Sequence, residues 1–295
     1  MVSQILTCEQ IMDNFVQWAQ EQSDIRAVLI IGSRGREDHP ADQWADLDLL
    51  FVTTDPYRFL TRTDWLDHLG VPWLTYVEDD AGVLERRVLF EGGVDVDFIP
   101  LSFDLIEKMI GVDLLPLEDV ILPGIRILLD KDGLADIFHT ARAELAKAPT
   151  RSIPPHATEL MEVVNNFWYH ALWVSKKLQR GELWYAKWAL DWRMKTLLLR
   201  MLEWHARATH GWNYNTWKNG RFLEEWADPR AYNGLRHAYA HYNKEDIERA
   251  LLATLDLFCW LTRETTALLN YTYPAQVEEH ITSLMQPHLT MNVSP

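Results

Sequence analysis

The sequence predicts an α/β domain with a mixed β-sheet, followed by an all-α helical-bundle domain. Three observations carry this. Short β-branched runs alternate with helical stretches up to about residue 130. A proline-bearing connector, AKAPTRSIPP at 146–155, follows them. Beyond it glycine is scarce and apolar residues recur at helical spacing. The boundary falls in the connector, giving an α/β domain over 1–150 and a helical domain over 151–295.

In chain order, residues 7–21 read as a helix with Ile11, Phe15 and Trp18 on one face. RAVLII (26–31) is a strand that stops at Gly32. LDLLFV (47–52) is the second strand, closed by Pro56, and residues 57–69 look helical. WLTYVE (73–78) and ERRVLFE (85–91) are further strands. Gly92-Gly93 then turns the chain into VDVDFI (94–99), ended by Pro100, which reads as a hairpin. IRILLD (125–130) is the last strand. Strands with helices between them imply mixed strand directions. In the second half, residues 156–180, 183–209, 230–242, 244–269 and 275–287 read as helices.

Hydrophobic residues make up 48% of the 295, ample for a core. Fourteen tryptophans exceed what that core needs and suggest long amphipathic helices or an aromatic-walled cleft. Charge divides unevenly. Residues 1–150 hold 28 Asp and Glu against 12 Lys and Arg, a net −16, while 151–295 hold 15 against 16, a net +1. A negative field repels nucleic acid and concentrates cations, polycationic small molecules included. The same acidity also serves solubility. Cys8 and Cys259 form no metal-ligand spacing, and so few cysteines suit a reducing cytoplasm. The N-terminus lacks the basic and apolar regions of a leader, and no stretch approaches the roughly 18 apolar residues of a membrane span.

The chemistry concentrates in two stretches. Glycine after a strand, as at Gly32, permits a tight turn and close backbone approach to a phosphate. Ser33 adds a hydroxyl, and Arg34 can pair with an anion. Asp46 and Asp48 then sit at i and i+2 of a strand, on one face and about 6–7 Å apart at the backbone. Two such carboxylates can converge on magnesium, which prefers oxygen ligands and keeps waters that substrate phosphates replace. A lone Asp-x-Asp is otherwise a pair of solvated acids. Asp95 and Asp97 repeat the spacing between Val94, Val96 and Phe98, where carboxylates need compensation. A third aspartate beside the first two would complete a metal-carboxylate cluster facing the Gly-Ser turn. It can also accept a proton from an attacking hydroxyl. Glu37, Asp38, Asp42, Asp79 and Asp80 add acidity around these stretches.

The pattern "GSRG…DLDLLFV…VDVDFIPLS" resembles the nucleotidyltransferase superfamily that shares a polymerase-β-like core. More specifically, the chain looks like the bacterial aminoglycoside 6-adenylyltransferases, the streptomycin adenylyltransferases. LLDKDG (128–133), NNFWYHALWVSKKLQRGELWYAK (165–187), LLRMLEWHARATHGW (198–212) and KNGRFLEEWADP (218–229) extend the likeness over nearly the whole chain. The resemblance implies an α/β nucleotidyltransferase domain and a helical domain that closes one side of the cleft. It implies that Gly32, Ser33 and Arg34 bind the nucleotide, and that Asp46, Asp48 and Asp95 hold magnesium. Asp95, in the family's third acidic position, would be the base. Asp97 is then an extra ligand, a substrate contact or a salt-bridge partner. Lys187 of "YAK" would reach the nucleotide phosphates. Glu182 would either meet a guanidinium or ammonium of the substrate or simply start the next helix, where acids suit the dipole.

The implied reaction moves AMP from Mg-ATP to a hydroxyl of a cationic aminoglycoside, with streptomycin favoured, and confers resistance. Two alternatives stay open. One is the same chemistry on a lincosamide or protein hydroxyl. The other is a non-catalytic nucleotide-binding or antitoxin-like module, against which the retained carboxylates argue. Trp168, Trp173, Trp184, Trp188 and Trp192 read as a core stripe with one or two members free to stack on a ligand. No histidine pair demands zinc.

Overall fold

A computed structural model describes residues 6–36, 41–80, 82–104, 106, 121–147 and 153–289. The connector residues 148–152, together with Glu37 and Asp38, lie outside these. The chain divides into two compact units, Met1–Pro149 and Thr150–Pro295.

The first unit is built on one sheet. Its strands are β1 (Ile25–Ile30), β2 (Leu47–Thr53), β3 (Pro72–Asp80), β4 (Val83–Phe90), β5 (Val94–Ser102) and β6 (Arg126–Asp130), in the order β3-β4-β5-β2-β1-β6. The β2–β5 pair is parallel and the other pairs are antiparallel, so the sheet is mixed. Both faces of its centre are covered, which is why β2 is almost uninterruptedly apolar. Leu47, Leu49 and Phe51 pack with Ile11 and Phe15 of helix α1 (Cys8–Glu21). Leu50 and Val52 face the other way, with Leu134 and Phe138 of the helix Leu134–Lys147. Helix α1 starts where Thr7 and Gln10 form a capping box, each side chain accepting from the other's backbone N–H.

Three local details depart from the expected pattern. Strand β5 runs through Pro100 to Ser102 rather than stopping. Its pairing with β4 reaches only Phe98, whereas its pairing with β2 continues to Ser102. Among the described residues, Pro100 therefore sits where one side of the strand has no partner, and its missing N–H costs nothing there. The stretch 57–69 is not one helix. It splits into Pro56–Thr61 and a 3₁₀ turn, Asp64–His68, because Arg62 and Thr63 leave helical dihedrals. The helix Leu134–Lys147 was not foreseen, although Leu134, Phe138, Ala141 and Leu145 repeat at helical spacing and are buried.

The second unit is helical: Ala157–Gln179, Leu183–Trp188, Lys195–His210, Leu223–Trp226, Pro229–Ala238, Lys244–Leu268 and Ala275–Met285. Its core is a continuous apolar cluster centred on the helices 157–179, 195–210 and 244–268. Phe167 and Phe258 stack within it at 3.6 Å between centroids and 6° between planes. The stretch 183–209, read as one helix, is interrupted by a π-helical segment, Ala189–Met194. Trp168 is buried in the core, and Trp173 packs against it. Trp184, Trp188 and Trp192 are 75%, 47% and 66% exposed, so the tryptophan stripe is only partly core.

Candidate active site

The site begins with register. Parallel pairing sets Asp48 of β2 directly beside Asp97 of β5. Both point to the face that also carries Leu50, Val52, Ile99 and Leu101. Asp46 lies just before β2, two residues away on the same side. One oxygen from each of Asp46, Asp48 and Asp97 lies within 4.8 Å of the other two. Asp97 is buried, and Asp46 and Asp48 are half-buried.

The third carboxylate of this cluster is Asp97, where the family resemblance implies Asp95. Asp95 shares a face with Asp97 but stands nearer the Gly92-Gly93 turn, and its side chain is exposed. Antiparallel pairing places Asp95 opposite Leu89 and Asp97 opposite Arg87. Burial pushes the Asp97 carboxyl up to about 6; the Arg87 charge opposes this, while Glu85, Asp46 and Asp95 add to it.

The Gly-Ser turn abuts this cluster. The Ile31 N–H donates to the Asp48 carbonyl at 3.2 Å, so the chain leaving β1 is tied to β2 at the Asp-x-Asp. Gly32 has φ +63°, and a Cβ there would lie 2.0 Å from Asp48 Oδ2. Glycine is required for both reasons. The Ser33 hydroxyl is buried without a hydrogen-bond partner. Arg34 is anchored beside the turn. Its Nε donates to the Asp46 carbonyl and its Nη2 to the Ala45 carbonyl, each at 3.0 Å. It thereby holds the entry to β2.

These features suit a divalent cation and a phosphate. Three convergent carboxylates offer the hard oxygen set that magnesium takes. The side-chain-free Gly32 and the orphaned Ser33 hydroxyl leave an incomplete polar rim beside them. Among the remaining acids, Asp42 accepts from the Trp44 N–H and Asp79 from the Gly82 N–H, so both shape turns.

In the helical unit, Lys187 is paired with Asp191 and donates to the Ala240 carbonyl at 2.6 Å. Glu182 precedes the helix Leu183–Trp188 and accepts from Lys177 at 2.7 Å and from Arg180. His205 meets Glu264 at 2.8 Å and His241 meets Asp246 at 3.1 Å. The metal-capable cluster found among the described residues is the aspartate one.

One contributor went unremarked in the sequence. Arg87 places Nη2 3.6 Å from Asp97 Oδ2 and is itself held by Glu78 and Glu85. The signal was present: a hairpin centred on Gly92 sets residue 87 opposite residue 97.

A Gly-Ser turn after one strand, an Asp-x-Asp at the start of the next and a third aspartate alongside define a nucleotidyltransferase site. Comparison with known proteins shows the family. The family model described as streptomycin adenylyltransferase matches residues 6–287. An aminoglycoside 6-adenylyltransferase of Bacillus subtilis (strain 168) is 26% identical over 90% of this chain and 92% of its own. One of Campylobacter jejuni is 24% identical over 92% of each. A crystal structure of an aminoglycoside 6-adenyltransferase from Bacillus subtilis aligns over 96% of this chain and 99% of its own, at 23% identity and a TM-score of 0.45. The chain belongs to the streptomycin adenylyltransferase family, and it is an enzyme of the nucleotidyltransferase class.

Proposed function

We propose that the protein transfers AMP from Mg-ATP to a hydroxyl of an aminoglycoside, and that streptomycin is its acceptor. The observation that carries this is the convergence of Asp46, Asp48 and Asp97 against the Gly32-Ser33 turn in a chain of this family. Asp46, Asp48 and Asp97 would hold magnesium, which when bound would neutralise phosphate charge. Gly32 and Ser33 receive the triphosphate: the glycine lets the backbone approach, and the Ser33 hydroxyl gains the partner it lacks. The acceptor oxygen attacks the α-phosphorus, an O–P bond forms, and the bond to pyrophosphate breaks. The acceptor's proton passes to a carboxylate; this reading gives that role to Asp97, which completes the cluster, over Asp95 in the family's third acidic position.

The acceptor follows from charge. The first 150 residues carry −16, which favours a polycation over a neutral lincosamide or a nucleic acid. Streptomycin, with two guanidinium groups, meets that requirement, and the aminoglycoside acceptors named for the relatives point the same way. Adenylylating a hydroxyl that the drug uses to bind its target would give resistance. A reaction that consumes ATP places the enzyme in the cytoplasm. The test is incubation with Mg-ATP and a panel of streptomycin, a deoxystreptamine aminoglycoside and a lincosamide, followed by mass spectrometry of each drug. An AMP adduct on streptomycin supports the reading; an adduct only on the lincosamide, or on none, refutes it.

A further inference from the structure

Arg87 has no place in the mechanism so far, yet it is a firmly anchored cation beside Asp97. Three strands converge on it. Cross-strand pairing sets it opposite Tyr76 of β3 and Asp97 of β5. Glu78 and Glu85 form the next pair on that face of β3 and β4. The Arg87 Nε lies 2.8 Å from Glu78 Oε2 and donates to Glu85 Oε1 at 2.8 Å, while Nη2 donates to the same Glu85 oxygen at 2.6 Å. The Glu85 side chain is 8% exposed, so this anchor is buried. Nη2 stands 3.6 Å from Asp97 Oδ2, an ion pair longer than a hydrogen bond.

The chemistry of that arrangement is specific. Two carboxylates fix the guanidinium at Nε and Nη2, and Nη2 is also the atom that faces Asp97. Arg87 therefore attracts the Asp97 carboxylate without tying up its lone pairs in a hydrogen bond. Burial alone would lower the basicity of the guanidinium, but the Glu85 hydrogen bonds and the charges of Asp97, Glu85 and Glu78 more than reverse this, so it stays charged. A fixed cation at this point draws Oδ2 of Asp97 toward β4, beside the cluster that Asp97 forms with Asp46 and Asp48.

We propose that Arg87, clamped by Glu78 and Glu85, is a positioning residue that orients the Asp97 carboxylate for adenylyl transfer. The proposal rests on the reading that Asp97 completes the carboxylate cluster. It concerns only β3, β4 and β5 of the first unit.

The experiment measures steady-state kinetics and thermal melting for Arg87→Met, Arg87→Lys, Arg87→Ala and Asp97→Asn. Loss of orientation should lower kcat of Arg87→Met by roughly 10- to 100-fold, below the full contribution of a general base, with KM for ATP within about threefold. Arg87→Lys should recover part of kcat, because a cation without the two-pronged grip returns the charge alone. Millimolar methylguanidinium should raise the kcat of Arg87→Ala, with an equal concentration of urea giving no gain. A purely structural role would produce neither rescue. A folded Arg87→Met enzyme with wild-type kcat beside an inactive Asp97→Asn enzyme overturns the proposal alone. Losses that track melting temperature and that neither lysine nor methylguanidinium restores also overturn it. An active Asp97→Asn enzyme removes the underlying cluster reading, and the proposal with it.

Discussion

Gly32 shows how little freedom the site allows a single residue. Its φ of +63° and the 2.0 Å from a Cβ to Asp48 Oδ2 mean that any side chain displaces the carboxylate. Gly32→Ala is expected to cost roughly 10²-fold in kcat, as a misplacement of about 1 Å at a reacting centre does. Melting temperature read beside kcat checks it; an active Gly32→Ala enzyme would mean the turn is ordinary. Asp95 and Asp97 make the sharper pair. Asp97→Asn should abolish turnover by about 10²–10⁴-fold, while Asp95→Asn, altering an exposed side chain, should stay within about fivefold of wild type. Single-turnover assays of both variants decide between them. Both aspartates of VDVD are visible in the sequence, but the register that sets Asp97 beside Asp48 is not. Depth along the strand separates the two acids: Asp95 follows the Gly92-Gly93 turn closely, whereas Asp97 sits between the neighbours Asp48 and Arg87.

Elements explain what was legible and what was not. The strands could be read because β-branched and apolar runs are closed by Gly or Pro, and the hairpin because Gly92-Gly93 marks it. The mixed sheet followed from helices between strands, but strand order requires the pairing of β2 with β5, a long-range contact with no local signature. Pro100 misled because its cost depends on whether a neighbour needs its N–H. Arg34 has a further use with no signature in the sequence: its guanidinium donates to two backbone carbonyls. In the helical unit, periodicity located the helices but not the π segment at 189–194, and that segment carries Trp192 to the surface. The stacked Phe167 and Phe258, both fully buried, tie two of those helices together. Phe167→Ala should destabilise the protein by about 3–5 kcal/mol through lost contacts and a residual cavity. Urea unfolding monitored by circular dichroism measures this, and a loss under 1 kcal/mol would show that the helices repack without it.

At the scale of the whole molecule, charge is the property the sequence states most directly. With −16 in residues 1–150, approach of a polycation should be assisted at low salt and screened beyond about 10 Å at 0.1 M. The kcat/KM for streptomycin is expected to fall as ionic strength rises, chiefly through KM, with magnesium kept saturating. A flat profile between low and high salt would show that the acidity serves solubility alone. The central claim is narrower: Asp46, Asp48 and Asp97, gathered at the Gly32-Ser33 turn, perform adenylyl transfer to an aminoglycoside. Its most direct test is the mass of streptomycin after incubation with Mg-ATP and the wild-type, Asp97→Asn or Asp95→Asn enzyme, each checked for folding. The account predicts one added AMP with the wild-type and Asp95→Asn enzymes and unmodified drug with Asp97→Asn. Unmodified streptomycin with the wild-type enzyme, or an AMP adduct with Asp97→Asn and none with Asp95→Asn, would contradict it.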